Sequence, residues 1–342
     1  MAEERRGFPL RDFAKPFAAF AFKFLVPLLS MSMATVTLPA FAKINLSLRV
    51  RGMRPDGYHE LDTVFQTISL RDTIKLTVTD GPQIVLSCDD RTLPSGADNL
   101  VYRAAAALQT RFAPNKGARI HLEKRIPAQA GLGGGSSDGA ITLIGLAYLW
   151  EIDPTAKEFL ELAADLGADG PFFLYGGRAH GRGVGTDLTP LEDTPERALL
   201  VLKPNKGIRT MRAYARLIRH YASLTTSEAE TILSSSERSG ISDSFDSKAL
   251  QNDFEPVVLE PEPEIKRAKA ALMKVGAQAA LLAGSGSAVF GVFDSGDAQK
   301  RAFQAIELEA GWRVFPCWTI GRSHYQSRMA PCGAVFERFT GP

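Results

Sequence analysis

Cysteine is scarce: Cys88, Cys317 and Cys332 are the three in 342 residues. Their wide spacing excludes a disulfide framework and a clustered thiolate metal site, and a sparse, odd set of thiols fits a reducing compartment. Neither sign of charge is in excess. Forty Lys and Arg against 38 Asp and Glu leave a net charge of +2, which gives no basis for nucleic acid as the main partner. Long apolar runs are also missing. The best candidate, residues 17–29, is interrupted by Lys23 and Pro27 and falls short of the roughly 20 residues a membrane span needs. No internal repeat is visible.

The length suggests two domains, at about 150 residues each, after a first stretch that reads differently. Residues 1–33 join Arg5, Arg6, Arg11 and Lys15 to a Phe-rich apolar run and then Ser30-Met31-Ser32-Met33-Ala34. Four readings compete: an upstream extension of a frame whose working start is Met31 or Met33, a secretory signal, an organellar presequence, or an amphipathic helix on a membrane or partner. The first is favoured, which leaves residues 1–33 outside the fold and membrane contact by them a minor alternative. Glu3 and Glu4 oppose the presequence.

From Ala42 the pattern has a period of two. Ile44, Leu46, Leu48 and Val50 alternate with Lys43, Asn45, Ser47 and Arg49, which places Lys43 and Asn45 together on the face opposite the core. Arg54-Pro55-Asp56-Gly57 is a turn signal. Strands are expected at Val64–Leu70, Thr73–Val78, Ile84–Ser87 and Ala118–Leu122. Asp98 is the expected cap of a helix with a stripe of Leu100, Val101, Ala104, Ala105 and Leu108, and Asp153-Pro154 the expected start of another that Gly167 ends. Phe172–Tyr175 reads as a strand before a glycine-rich hairpin. Pro190–Pro195 is a plausible boundary. Beyond it come a strand at Ala198–Leu202, a helix capped by Thr210 and a polar loop at about Ser223–Ser247. Helices follow at Lys248–Leu259 and Glu264–Val275, strands at Ala279–Leu282 and Val289–Phe293, a helix at Asp297–Glu309 and a strand at Trp312–Trp318. That order predicts a split-βαβ, ferredoxin-like layer.

One segment carries an obvious chemical signal. Gly131-Leu132-Gly133-Gly134-Gly135-Ser136-Ser137 lies between a strand and a long apolar helix. Glycines allow close backbone approach to a ligand, and free N–H groups at a helix start suit a polyphosphate. No Lys-Ser/Thr follows the glycines, and the third glycine of the dinucleotide fingerprint is absent, so neither familiar loop applies. A plain flexible turn is the bland alternative and the weaker one.

This loop resembles the central motif of the GHMP kinases, the superfamily of galactokinase, homoserine kinase and mevalonate kinase. Ala42-Lys43-Ile44-Asn45-Leu46 is similar to its first motif, and Leu282-Ala283-Gly284-Ser285-Gly286-Ser287-Ala288-Val289-Phe290 to its third. Within the superfamily, Arg54–Leu61, Val64-Phe65-Gln66, Gly167–Phe173 and Asn252-Asp253-Phe254-Glu255 resemble one family, the kinases of 4-diphosphocytidyl-2-C-methyl-D-erythritol. Gln129, Gly139 and Gly170 depart from its usual pattern without removing a chemical group.

The resemblance implies an α+β, two-domain GHMP kinase fold. A ribosomal-protein-S5-like ATP-binding domain would span 34–195 and a ferredoxin-like domain 196–330. It implies ATP, with Mg2+, as phosphoryl donor and the 2-hydroxyl of the cytidyl substrate as acceptor, in the non-mevalonate isoprenoid route. Asp169 is then expected to take the hydroxyl proton with Lys43 beside it. Asn99, Leu100, Lys124, Pro127 and Gly131, Leu132, Gly133, Gly134, Gly135, Ser136 and Ser137 would bind ATP. Asn45, Tyr58, His59, Phe65, Asp169, Thr210, Tyr214, Gly284, Ser285 and Gly286 would bind the acceptor, with aromatic rings stacking on cytosine and His59 bonding its edge. Metal ligands stay unassigned. Such an enzyme is expected in the cytoplasm, as a monomer or homodimer. Another GHMP kinase, of mevalonate or phosphomevalonate type, and a non-catalytic nucleotide-binding homologue are the alternatives.

Overall fold

The computed structural model describes residues 33–223 and 249–339. The expectations for the first 32 residues and for the polar stretch after Ser223 lie outside the described residues.

Two long strands, β1 (Thr35–Met53) and β2 (His59–Thr79), pair antiparallel along their length. The expected strands Val64–Leu70 and Thr73–Val78 are thus one, because Arg71 and Asp72 keep pairing, opposite Phe41 and Ala40. β3 (Ile84–Cys88) lies parallel to β4 (Gly117–Glu123). The far edge of β2 is shared: β4 pairs with its second half, and β5 (Arg178–Gly183) with its first. β6 (Asp187–Pro190) completes a hairpin with β5.

The register of β1 slips between Phe41 and Ala42. Phe41 faces Arg71 but Ala42 faces Ile68, so Ser69 and Leu70 of β2 bulge out of the ladder and the strand pair bends there. Leu38, Ala40 and Phe41 therefore enter the core beneath the helices, whereas Ala42, Ile44 and Leu46 enter a core shared with the second sheet. Lys43 and Asn45 do share the opposite face, but it is no solvated one: both are buried.

Helix α1 (Leu100–Phe112) is capped by Asn99, whose Oδ1 accepts the Val101 N–H, and not by Asp98. α2 (Gly134–Trp150) is buried on nearly every side, between the sheet and its neighbouring helices. α3 (Ala156–Leu166) starts at a Thr155–Glu158 capping box, two residues later than Asp153-Pro154 would give. Asp153 pairs instead with Arg338. Phe172–Tyr175 is a helical turn, α4, rather than a strand; the Gly176 N–H closes it on Phe172 O and packs Phe172 and Phe173 inward.

The second sheet comprises β7 (Ala198–Lys203), β9 (Ala279–Leu282), β10 (Val289–Phe293) and β11 (Arg313–Trp318), in the order β11-β7-β10-β9 and antiparallel throughout. That is the ferredoxin-like order. Its helices are α5 (Thr210–Ser223), α6 (Glu255–Leu259), α7 (Pro263–Lys274) and α8 (Gly296–Ala305). The helix expected from Lys248 begins only at Glu255, because β8 (Gln251–Asn252) first adds to β1, opposite Ser47 and Leu48. After β11 the chain returns to the first core. α9 (Arg322–Ser327) and the turns to Phe339 bury Tyr325, Met329, Phe336 and Phe339 there, and the Tyr325 hydroxyl donates to Phe173 O at 2.5 Å.

Candidate active site

A cavity of about 1270 Å3 opens between the glycine loop, the middle of β1 from Lys43 to Leu48, the first half of β2, and α5. Its wall gathers Lys43, Asn45, Tyr58, His59, Phe65, Asn99, Leu100, Lys124, Pro127, the run from Gly131 to Ser136, Asp169, Thr210, Tyr214, Gly284 and Ser285. Residues far apart in the chain thus share one space. Ser137 and Gly286 stand behind the wall; Ser137 is fully buried and its Oγ has no partner.

At the centre, Lys43 Nζ lies 3.3 Å from Asp169 Oδ2 and donates to Asn45 Oδ1 at 2.8 Å. Asn45 Nδ2 donates to Thr63 Oγ1, which donates to Ser47 O. This chain fixes the amide of Asn45 and leaves Lys43 one orientation. The ammonium also sits 5.5 Å from the centre of the Phe65 ring, which stacks on Phe172. Asp169 is partly open to the cavity, at 33% side-chain exposure against 5% for Lys43. Its turn is closed by the Gly170 N–H on Gly167 O.

The glycine loop reaches across to the loop after β9. Gly131 has φ +76°, and the Ala288 N–H donates to Ala130 O while the Ser287 N–H donates to Gln129 O. Asn252 supports that second loop from behind, donating to Leu282 O and Gly284 O at 2.8 and 2.7 Å. Thr210 Oγ1 meets Ser285 Oγ at 3.1 Å. On the β4 side of the loop, the Lys124 ammonium is not free. It is held by Asp72 Oδ2 and Asp138 Oδ2 at 2.5 and 2.7 Å.

At the other end, the His59 ring lies 4.9 Å from Tyr214, which meets Phe254 edge-on at 4.8 Å. His59 Nε2 is buried and has no partner. Burial holds the imidazole below its usual value, so the ring is neutral near pH 7 and offers one donor and one acceptor. Burial, with the nearby Asp169 charge, pushes the Tyr214 phenol up, so it too stays neutral. Tyr58 is exposed at the rim.

Sequence alone does not mark Thr63, Asn252 or Asp72. Thr63 faces Leu48 across the β1–β2 ladder; a cross-strand neighbour of a polar pair is a signal that strand pairing would have supplied. Asn252 lay within a family-like segment but carried no role, since its carbonyl partners are distant in sequence. Nothing local marks Asp72.

Residues 99–177 match the GHMP kinases N terminal domain and residues 229–310 the GHMP kinases C terminal domain. A 4-diphosphocytidyl-2-C-methyl-D-erythritol kinase of Solibacter usitatus is 39% identical over 290 residues, covering 85% of this chain and 90% of its own. That of Citrifermentans bemidjiense is 38% identical over 288 residues, covering 84% and 100%. A crystal structure of 4-(cytidine 5'-diphospho)-2C-methyl-D-erythritol kinase superposes with a TM-score of 0.66 at 35% identity, over 84% of this chain and all of the other. Homoserine kinase from Cytophaga hutchinsonii, at 20% identity over 84% of this chain and 95% of its own and a TM-score of 0.63, shares the fold. The chain belongs to the 4-diphosphocytidyl-2-C-methyl-D-erythritol kinase family of the GHMP kinases.

Proposed function

We propose that the protein transfers the γ-phosphoryl group of ATP to the 2-hydroxyl of 4-diphosphocytidyl-2-C-methyl-D-erythritol. The observation that carries this reading is the Lys43–Asp169 pair, 3.3 Å apart, set between a glycine loop and an aromatic pocket in one cavity. Phosphoryl transfer requires two substrates in line and balanced charge more than covalent chemistry by the protein. The residues supply those parts.

The loop from Gly131 to Ser137 takes the phosphates, with Asn99, Leu100, Lys124 and Pro127 on the nucleotide side. His59, with an unpartnered ring nitrogen beside Tyr214, takes the edge of the cytosine, and Tyr58, Phe65 and Tyr214 offer aromatic surface. Asn45, Thr210, Gly284, Ser285 and Gly286 surround the remainder of the acceptor. As the acceptor oxygen bonds to the γ-phosphorus and the bond to the ADP oxygen breaks, the hydroxyl proton passes to the Asp169 carboxylate. Lys43 holds that carboxylate in place and offsets charge on the transferring group. Magnesium enters as Mg-ATP, as part of the substrate; among the described residues no cluster of three or more His, Cys, Asp or Glu could hold an ion by itself.

The proposed domains are 34–195 and 196–330, and the proposed setting is the cytoplasm, as a monomer or homodimer. No helix among the described residues is long and apolar enough to cross a membrane. The test is one assay of Mg-ATP with a panel of the cytidyl substrate, mevalonate, homoserine and galactose. Phosphorylation of the first alone is expected; turnover of mevalonate in its place would overturn the acceptor assignment and leave the kinase reading intact.

A further inference from the structure

Behind the phosphate loop lies a buried charge network, of which Lys124 and Asp138 reach the wall of the cavity. Asp72, in the middle of β2, has no exposed surface. Its Oδ1 accepts the backbone N–H of Arg125 at 2.5 Å and of Ile126 at 2.8 Å, and its Oδ2 accepts the Lys124 ammonium at 2.5 Å. The same ammonium donates to Asp138 Oδ2 at 2.7 Å, near the start of α2, and Asp138 Oδ1 has no partner.

One buried cation faces two carboxyls. A buried carboxylate is tolerated where donors converge on it. Three donors meet Asp72 and one meets Asp138. Burial, reinforced by the neighbouring Asp72, pushes the Asp138 carboxyl up to about 8 against the pull of Lys124. With three donors against one, Asp72 is the better satisfied of the two partners of Lys124.

The groups that Asp72 holds form the seat of the glycine loop. A Cβ on Gly134 would stand 2.9 Å from Ile126 Cγ2 and 3.5 Å from Lys124 Nζ. The Lys124 N–H is tied in turn to Asp89 Oδ1. We infer that Asp72 is a positioning residue for nucleotide binding: it fixes the Lys124 ammonium and the backbone at Arg125 and Ile126, and through them the height of the loop at Gly134 and the first turn of α2. The inference rests on the proposed role of residues 131–137 as the phosphate site.

The test is calorimetric binding of Mg-AMP-PNP to the full chain, with acceptor KM measured alongside. Asp72→Asn should weaken nucleotide binding about tenfold, the weight of one charge-assisted hydrogen bond, and leave the acceptor KM within about twofold. Asp138→Asn, a change at the carboxyl that meets only one donor, should weaken it by less than about threefold. Lys124→Met should match Asp72→Asn, and the double variant should add nothing, as for residues acting as one unit. Wild-type affinity in a folded Asp72→Asn, or equal loss for nucleotide and acceptor, overturns the inference. If Asp72→Asn does not fold, hydrogen exchange at the Gly133–Gly135 amides of Lys124→Met decides: faster exchange supports it and unchanged exchange overturns it. A wild-type chain that binds no Mg-AMP-PNP instead sinks the phosphate-site reading, and the inference with it.

Discussion

Gly131 and Ala283 meet backbone to backbone: a Cβ on Gly131 would stand 1.9 Å from the Ala283 carbonyl oxygen. The two glycine loops, one from each sheet's side of the cavity, are therefore in direct contact. Only a residue without a side chain fits, and φ at Gly131 is +76°. Gly131→Ala is expected to cost more than about 1 kcal/mol from the left-handed backbone alone, and the clash adds to that. Melting temperature and the KM for ATP should both worsen; a variant that matches the wild type in both would contradict the packing.

Lys43 tests the charge balance at the centre. Lys43→Met keeps the length of the apolar stem and removes the ammonium from Asp169 and Asn45. We expect kcat to fall by about a hundredfold or more, the range of a group that acts in the transition state, with smaller changes in either KM. A rise in KM with kcat preserved would make Lys43 a binding group only.

His59 tests the cytosine end. Its unpartnered Nε2 should gain a bond only when the acceptor binds. His59→Phe preserves the ring against Tyr214 and removes the polar edge, so the acceptor KM should rise about tenfold, with the KM for ATP unchanged. Equal effects on both substrates would place His59 outside base recognition.

Asp62 gives a stability effect with a definite sign. Its carboxyl is bonded to His180 Nε2 at 2.9 Å and to Arg51 at 2.6 Å. The His180 bond, then Arg51, hold it well below the usual carboxylate range. A group with a depressed folded value contributes stability above its unfolded value, near 4, and loses it as the pH falls through the folded one. Asp62→Asn should therefore melt lower than wild type at neutral pH, with the gap narrowing below about pH 4. A gap that widens in acid would show that the carboxylate is not the source.

Much of this site was legible because it is built from short, ordered segments. Lys43 and Asn45 could be placed on one face by alternation alone, and the glycine loop by its composition and the apolar helix behind it. The limits came from tertiary context. Alternation could not reveal that the face of Lys43 is buried, since what covers it is the glycine loop at Leu132 and Gly133 and the Phe65 ring, from other elements. Phe172–Tyr175 has strand composition, yet its Gly176 stop and the packing of two phenylalanines close it into a helical turn. Asn99 displaced Asp98 as a cap because its side chain reaches the Val101 N–H. The return of residues 322–339 to the first core, through Tyr325 and Phe336, has no local signal at all. The same holds for Asp72, whose donors come from a segment more than fifty residues away.

The central claim is that Asp169 takes the acceptor proton. The direct measurement is the rate of phosphoryl transfer from Mg-ATP to 4-diphosphocytidyl-2-C-methyl-D-erythritol by folded Asp169→Asn beside the wild type, at saturating concentrations of both substrates. The account predicts a rate lower by at least about a hundredfold, with both substrates still bound. A rate near wild type would contradict it.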